Sequence, residues 1–187
     1  MPLVLASASP RRQELLQKAG IEFLVRPANI PEIHRAGESP RAFAERVAKE
    51  KAQIVWETLE SPSSVLGADT VVVVYLEVLG KPTDSSDAAR MLRLLSGRVH
   101  SVITGVCLIG KGFQDVRSEI TAVHFSQVTE SDIAHYVSSA EPMDKAGAYA
   151  IQGGASRWVS KIEGDYNNVV GLPVDLVKRM LQEHRIA

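Results

Sequence analysis

The chain has 187 residues, with 21 basic against 22 acidic side chains and a net charge of −1. This balance argues against a broad nucleic-acid-binding face, though it is compatible with a local basic pocket. Hydrophobic residues make up 45%, which is ordinary for a soluble globular protein. No apolar run approaches the roughly 20 residues a bilayer span needs. A single cysteine, Cys107, precludes an internal disulfide and fits a reducing compartment. No basic region precedes the first apolar run, so it does not read as a signal peptide. The expectation is a cytoplasmic protein with no membrane or nucleic-acid partner. Its length suffices for one core or for two small lobes sharing one.

In chain order, Leu3 to Ala6 predicts a short strand. Ser7-Ala8-Ser9-Pro10-Arg11-Arg12 follows, with Ser9 as a candidate helix cap and Pro10 suited to the first helical position. The helix is expected to stop at Gly20. A strand, a serine-rich turn and a helix start together make an anion site. Arginine there opposes the helix dipole, so Arg11 and Arg12 are better explained by an anionic ligand than by helix stability. Glu22 to Arg26 reads as a strand, and Asn29 to Gly37 as a loop carrying Glu32 and His34. Ser39-Pro40 opens a helix to about Thr58, with Phe43, Val47, Ile54 and Val55 towards one side. Lys49 and Lys51 lie along it, and lysines on a helix are usually solvated.

After a loop at Ser61–Ser64 comes Gly67-Ala68-Asp69-Thr70, at the mouth of Val71 to Val74. β-Branched valines favour a buried strand. A carboxylate set against that wall needs hydrogen bonds, a cation or water. Glu77 to Leu79 predicts a return strand, Gly80-Lys81-Pro82 a break, and Asp84 to Ser96 a helix. Val99 to Ile109 and a strand running to about Val128 flank the hairpin turn Gly110-Lys111-Gly112. Gly105, inside the first of these, marks a bulge or the close approach of a ligand. Thr129 caps a helix to about Ser139. Asp144 to Gly154 mixes charge with small residues that let a ligand approach the backbone. Trp158 to Ile162 is a strand, Gly164 to Asn168 a loop, and Gly171-Leu172-Pro173 opens a terminal helix with Val174, Val177, Met180 and Leu181 inward. Alternating strands and helices with one long hairpin predict a mixed α/β protein, in one domain over residues 1–187.

The familiar nucleotide and hydrolase signatures are missing: no P-loop, no dinucleotide fingerprint, no nucleophile elbow. The five histidines have no metal-ligand spacing, and Cys107 reads as core filler. What remains is a set of charged turns: Arg11 and Arg12, Glu32, Lys51, Asp69, Lys81, Asp144 and Lys145. Cations of this kind bind phosphates, and hard carboxylates bind Mg²⁺ or Mn²⁺. Phosphoryl chemistry needs both.

The sequence resembles the Maf family of nucleoside triphosphate pyrophosphatases over nearly its whole length. The likeness rests on L-A-S-A-S-P-R-R at 5–12, G-A-D-T-V-V at 67–72, G-K-P at 80–82, L-S-G-R-V-H at 95–100 and T-G at 104–105. D-K-A-G-A-Y-A-I-Q-G at 144–153 and V-V-G-L-P at 169–173 complete it. It implies a mixed twisted sheet flanked by helices, in two lobes with a central cleft. It also implies hydrolysis of a nucleotide to the monophosphate and pyrophosphate, a divalent cation, and a homodimer. Asp69 matches the family's proton acceptor. Arg11, Thr70 and Gln152 match positions that set base preference in the branch acting on dTTP and UTP, rather than in the 7-methyl-GTP branch. Pro31 stands where the family often has an aspartate before Glu32, a departure in the loop expected to help bind metal. The site expected on this basis has Glu32 and Asp69 on the metal and Asp69, Glu32 and Lys81 in the chemistry. Ser7, Ser9, Arg11, Arg12, Lys51, Thr70, Asp144, Lys145 and Gln152 are expected on the substrate. The rival readings are a protein that binds nucleotide to regulate cell division without cleaving it, and a pyrophosphatase for another nucleotide, such as a modified pyrimidine triphosphate or 7-methyl-GTP.

Overall fold

A computed structural model describes residues 3–60 and 63–186; of the loop expected at Ser61–Ser64, Ser61 and Pro62 lie outside them. The first half of the chain forms β1 (Leu3–Leu5), α1 (Pro10–Lys18), β2 (Phe23–Val25), α2 (Pro40–Trp56), β3 (Val65–Val74), β4 (Glu77–Leu79) and α3 (Ser85–Leu95). The second half forms β5 (Val99–Gly110), β6 (Phe113–Phe125), α4 (Glu130–Ser138), β7 (Val159–Glu163), α5 (Tyr166–Val170) and α6 (Val174–Glu183). Short 3₁₀ turns fill Glu141–Asp144, Ala146–Ala148 and Gly154–Trp158.

The strands form one sheet in the order β2-β1-β3-β5-β6-β7, with β4 paired to β3. β1 runs parallel to β2 and β3, whereas β4 is antiparallel to β3 and β7 to β6. The expected mixed α/β sheet flanked by helices is therefore what the chain builds. By internal contacts it divides into two compact units. The first comprises Met1–Thr70, Thr104–Glu119 and Gly171–Ala187; the second comprises Val71–Ile103 and Ile120–Val170.

In the first unit, α2 lies close against the sheet. A β-carbon on Gly67 would come within 2.2 Å of the Ala48 carbonyl oxygen, and one on Gly105 within 2.3 Å of the Ala44 carbonyl oxygen. These two strand glycines admit a helix backbone, and in the case of Gly105 that is what approaches, rather than the expected ligand. The buried stripe of α2 is accordingly centred on Ala44, Ala48 and Ala52. Ile54, expected on the inner side, falls at the margin of that stripe and is 44% exposed. Val4, Ala6, Val65, Cys107 and Ile109 pack with Ala48 and Ala52.

The second unit has an aromatic interior, with His100, Phe125, Tyr149, Trp158 and Tyr136 meeting edge to face. The expected loop at Gly164–Asn168 instead leads into α5. Asp165 Oδ1 accepts the Asn167 amide at 2.7 Å. Buried Asn168 donates to the Val102 carbonyl and to Thr121 Oγ1, each at 3.0 Å. Turn-forming residues are here held helical by tertiary bonds. Two local expectations hold on α2 and α4: Ser39 and Thr129 accept amides three residues on. Ser9 stands at the start of α1 without such a bond; its own amide donates to Ser7 Oγ at 3.2 Å.

Candidate functional site

Asp69 lies in the middle of β3, not at its mouth, and is buried. Lys51, three turns along α2 from Pro40, reaches it: Nζ stands 2.7 Å from Asp69 Oδ1. The same ammonium stands 2.7 Å from Glu32 Oε1. Lys51 is itself buried, whereas Lys49 is exposed, so only one of the two helix lysines is solvated as expected. Burial pushes the Asp69 carboxyl above the ordinary aspartate range; Lys51 opposes that shift without cancelling it, and Glu32 adds to it. Asp69 is thus a stronger base than a free aspartate, held beside a fixed cation.

Arg12 is buried in the same unit. Its Nε donates to the Gly171 carbonyl at 2.8 Å, Nη1 to Ser7 Oγ at 3.1 Å and Nη2 to Thr70 Oγ1 at 3.0 Å. Burial lowers its pKa, opposed by Asp69 and Glu32, but a guanidinium stays charged at neutral pH. Thr70 Oγ1 also lies 2.9 Å from Thr104 Oγ1 and 3.3 Å from the Gly171 carbonyl. Ser7, Arg12, Thr70, Thr104 and Gly171 therefore form one polar cluster beside Asp69. Arg11, on the same turn, is half-exposed. The two arginines expected at one anion site thus differ, Arg12 a clamped guanidinium and Arg11 available at the surface.

Glu32 belongs to the irregular segment 26–39, which is pinned to α2 by Arg46. Arg46 Nη2 donates to the Ile33 carbonyl at 2.9 Å, and Nε and Nη2 donate to the Glu38 carboxylate at 2.6 and 2.8 Å. Arg46 holds the Glu38 carboxyl down to about 2. Sequence reasoning missed this clamp; its signal was the Arg46–Glu50 pair one turn apart.

Lys81, Asp144, Lys145 and Gln152 belong to the second unit. There the Gly147 amide donates to the Gly80 carbonyl at 3.0 Å, joining the turn of Lys81 to that of Lys145. Gly147 has φ +69°, and a side chain on it would collide with Val72. Lys145 Nζ donates to the Glu141 carbonyl at 2.7 Å and to Asp144 Oδ1 at 2.6 Å. Gln152 and Lys81 are exposed. Cys107 is buried with its thiol pushed up to about 12, as a core residue should be.

Among the described residues no three His, Cys, Asp or Glu side chains gather as a metal cluster. Glu32 and Asp69 do supply hard oxygens around one shared cation. That donor set fits Mg²⁺ or Mn²⁺ when water and phosphate oxygens complete the shell.

A family model described as Maf-like protein matches residues 2–184. A dTTP/UTP pyrophosphatase of Koribacter versatilis is 54% identical over 183 residues, covering 97% of this chain and 94% of that one. The dTTP/UTP pyrophosphatase of Syntrophomonas wolfei is 50% identical, covering 95% and 94%, and that of Alkaliphilus oremlandii 47%, covering 97% and 95%. A solved nucleoside-triphosphatase / dITP/XTP pyrophosphatase from Mycobacterium abscessus aligns with a TM-score of 0.49 at 13% identity, covering 100% of this chain and 96% of that one.

Proposed function

Since the chain belongs to the Maf-like protein family, we propose that it is a nucleoside triphosphate pyrophosphatase acting on dTTP and UTP. The observation that carries this reading is the buried Asp69, raised in basicity and shared with Glu32 on the Lys51 ammonium. A phosphoanhydride is broken by delivering water to phosphorus while stabilising the leaving charge, and this arrangement supplies a base and cations for both. Relatives close to half identical carry the same activity in their names.

In this reading water attacks the α-phosphorus and Asp69 accepts its proton. The bond from the α-phosphorus to the bridging oxygen breaks, and pyrophosphate leaves with the electron pair. Arg11, Lys51, Lys81 and Lys145 neutralise the triphosphate. Ser7, Ser9 and Asp144 hold the substrate in place, while the Arg12–Thr70 link fixes the floor of the site. Gln152 pairs its amide with the O4/N3 edge of uracil or thymine. A divalent ion would be held by Glu32 and Asp69; when bound it would lower the pKa of water and screen phosphate charge.

The protein is read as a cytoplasmic homodimer. Its one cysteine is buried, and no described helix is long and apolar enough to cross a membrane. The test is pyrophosphate release from a panel of triphosphates with Mg²⁺ and Mn²⁺, wild type beside Asp69→Asn. Release from dTTP and UTP that disappears in the variant supports the reading. Nucleotide-dependent stabilisation without release would favour a binding protein.

A further inference from the structure

The turn that carries Gln152 is tied at both ends by two side chains that no motif includes. Tyr136, on α4, is buried, and its hydroxyl accepts the Ala150 amide at 3.3 Å. The same hydroxyl donates to Glu141 Oε1 at 2.8 Å. The Glu141 carboxylate in turn accepts the Gly154 amide, at 3.1 Å to Oε1 and 3.3 Å to Oε2. One short relay thus holds the backbone two residues before Gln152 and two residues after it. The backbone carbonyl of Glu141 also accepts Lys145 Nζ at 2.7 Å.

The glycines after Gln152 follow from this relay. A β-carbon on Gly153 would stand 1.8 Å from Glu141 Oε1, and one on Gly154 3.2 Å from the Tyr136 ring. What approaches this backbone is the carboxylate and the ring of the protein itself, not the expected ligand. An exposed glutamine on an irregular turn would ordinarily be poorly ordered, and a reader of base edges has to be held in register.

We propose that Glu141, acting with Tyr136, is a positioning residue for base selectivity: the pair fixes the Ala150–Gly154 turn so that Gln152 presents its amide to the nucleobase. This rests on the reading of the chain as a pyrimidine nucleotide pyrophosphatase. Neither side chain touches the substrate; each acts through the backbone that carries Gln152.

The experiment measures kcat/KM for UTP against GTP in the full chain, with unfolding followed in parallel. Gln152→Ala is expected to lower the UTP preference about tenfold or more, the scale of a lost two-bond base contact. Glu141→Ala and Tyr136→Phe are expected to lower the same ratio, whereas Glu141→Gln keeps it, because its amide oxygen can accept both donors. In a Gln152→Ala background, Glu141→Ala should change the ratio no further, since the effect runs through the residue already removed. A merely structural loss would depress both substrates alike and leave the ratio unmoved.

The proposal is overturned if folded Glu141→Ala and Tyr136→Phe retain the wild-type ratio, or if Glu141→Ala shifts it again when Gln152 is absent. Wild-type protein that releases no pyrophosphate from either substrate would instead remove the enzymatic reading, and the proposal with it. Wild-type activity with a ratio insensitive to Gln152→Ala would leave that reading intact and sink the assignment of Gln152 and its support.

Discussion

Lys51 Nζ lies 2.7 Å from Asp69 Oδ1, and both side chains are buried. Removing the cation alone would strand a carboxylate in apolar surroundings beside a second one, Glu32. Lys51→Met is therefore expected to lower unfolding free energy by about 3 kcal/mol, the scale for breaking a buried pair, and to abolish activity. Lys51→Met with Asp69→Asn should recover much of the stability and none of the turnover. Urea unfolding of the two single variants and the double variant measures this.

Asp69→Asn should end pyrophosphate release while leaving the fold intact. The folded-state pKa of Asp69 lies above its ordinary value, so the native protein prefers the protonated form more than the unfolded chain does. Ionised Asp69 therefore lowers stability at neutral pH, and that penalty is relieved as pH falls through the raised pKa. The variant should unfold at the same or a higher urea concentration than wild type. In the wild type, kcat/KM should decline with falling pH at a higher pH than a free carboxylate near about 3.9 would give. A plot of kcat/KM against pH checks that.

Arg46→Met frees segment 26–39, which carries Glu32. Its three donations to that segment disappear, an expected loss on the order of 2 kcal/mol. Protease cleavage within 26–39 should quicken and turnover should fall. Arg41→Ala removes only the exposed pair with Glu45 and should alter neither. The Glu38 carboxyl is held at about 2, below its ordinary 4.5, chiefly by its hydrogen bonds from Arg46. Its contribution is therefore present above about 4.5 and lost as pH drops towards about 2.

His100 is buried against Tyr149 and Phe125, its Nε2 2.7 Å from the Tyr149 hydroxyl. Burial lowers its pKa to about 4 from 6.5. The native state thus favours the neutral ring, so stability is full above about 6.5 and declines as pH falls towards about 4. The whole decline is on the order of 3 kcal/mol, from 1.36 kcal/mol per pKa unit. Urea midpoints at pH 7.5 and 5 should separate in the wild type and converge in His100→Gln.

Elements with a clear period or cap could be read directly: the valine strand, the capped starts of α2 and α4, and the inner face of α6. The family's ordered motifs named Asp69, and the set of charged turns added Lys51 and Glu32 as candidates for the same site. Composition could not say that Lys51 is buried while Lys49, two residues earlier, is solvated; the stripe that decides it is set by alanines, which carry little hydropathy signal. Nor could it separate Arg11 from Arg12, because the Gly171 carbonyl that engages Arg12 is 159 residues away. Small residues were ambiguous for the same reason. Gly105 and Gly153 each admit a neighbour from elsewhere in the chain, and the neighbour cannot be named until the fold is known.

At Gly67 the close seat of α2 on the sheet has a wider consequence. One added methyl there would have to displace the helix outward, and Lys51 rides on that helix. Gly67→Ala would disarm Asp69 from two residues away on the same face of the strand, with every charged residue of the site still present. A survey of inactive variants would find it among lesions that never meet the nucleotide.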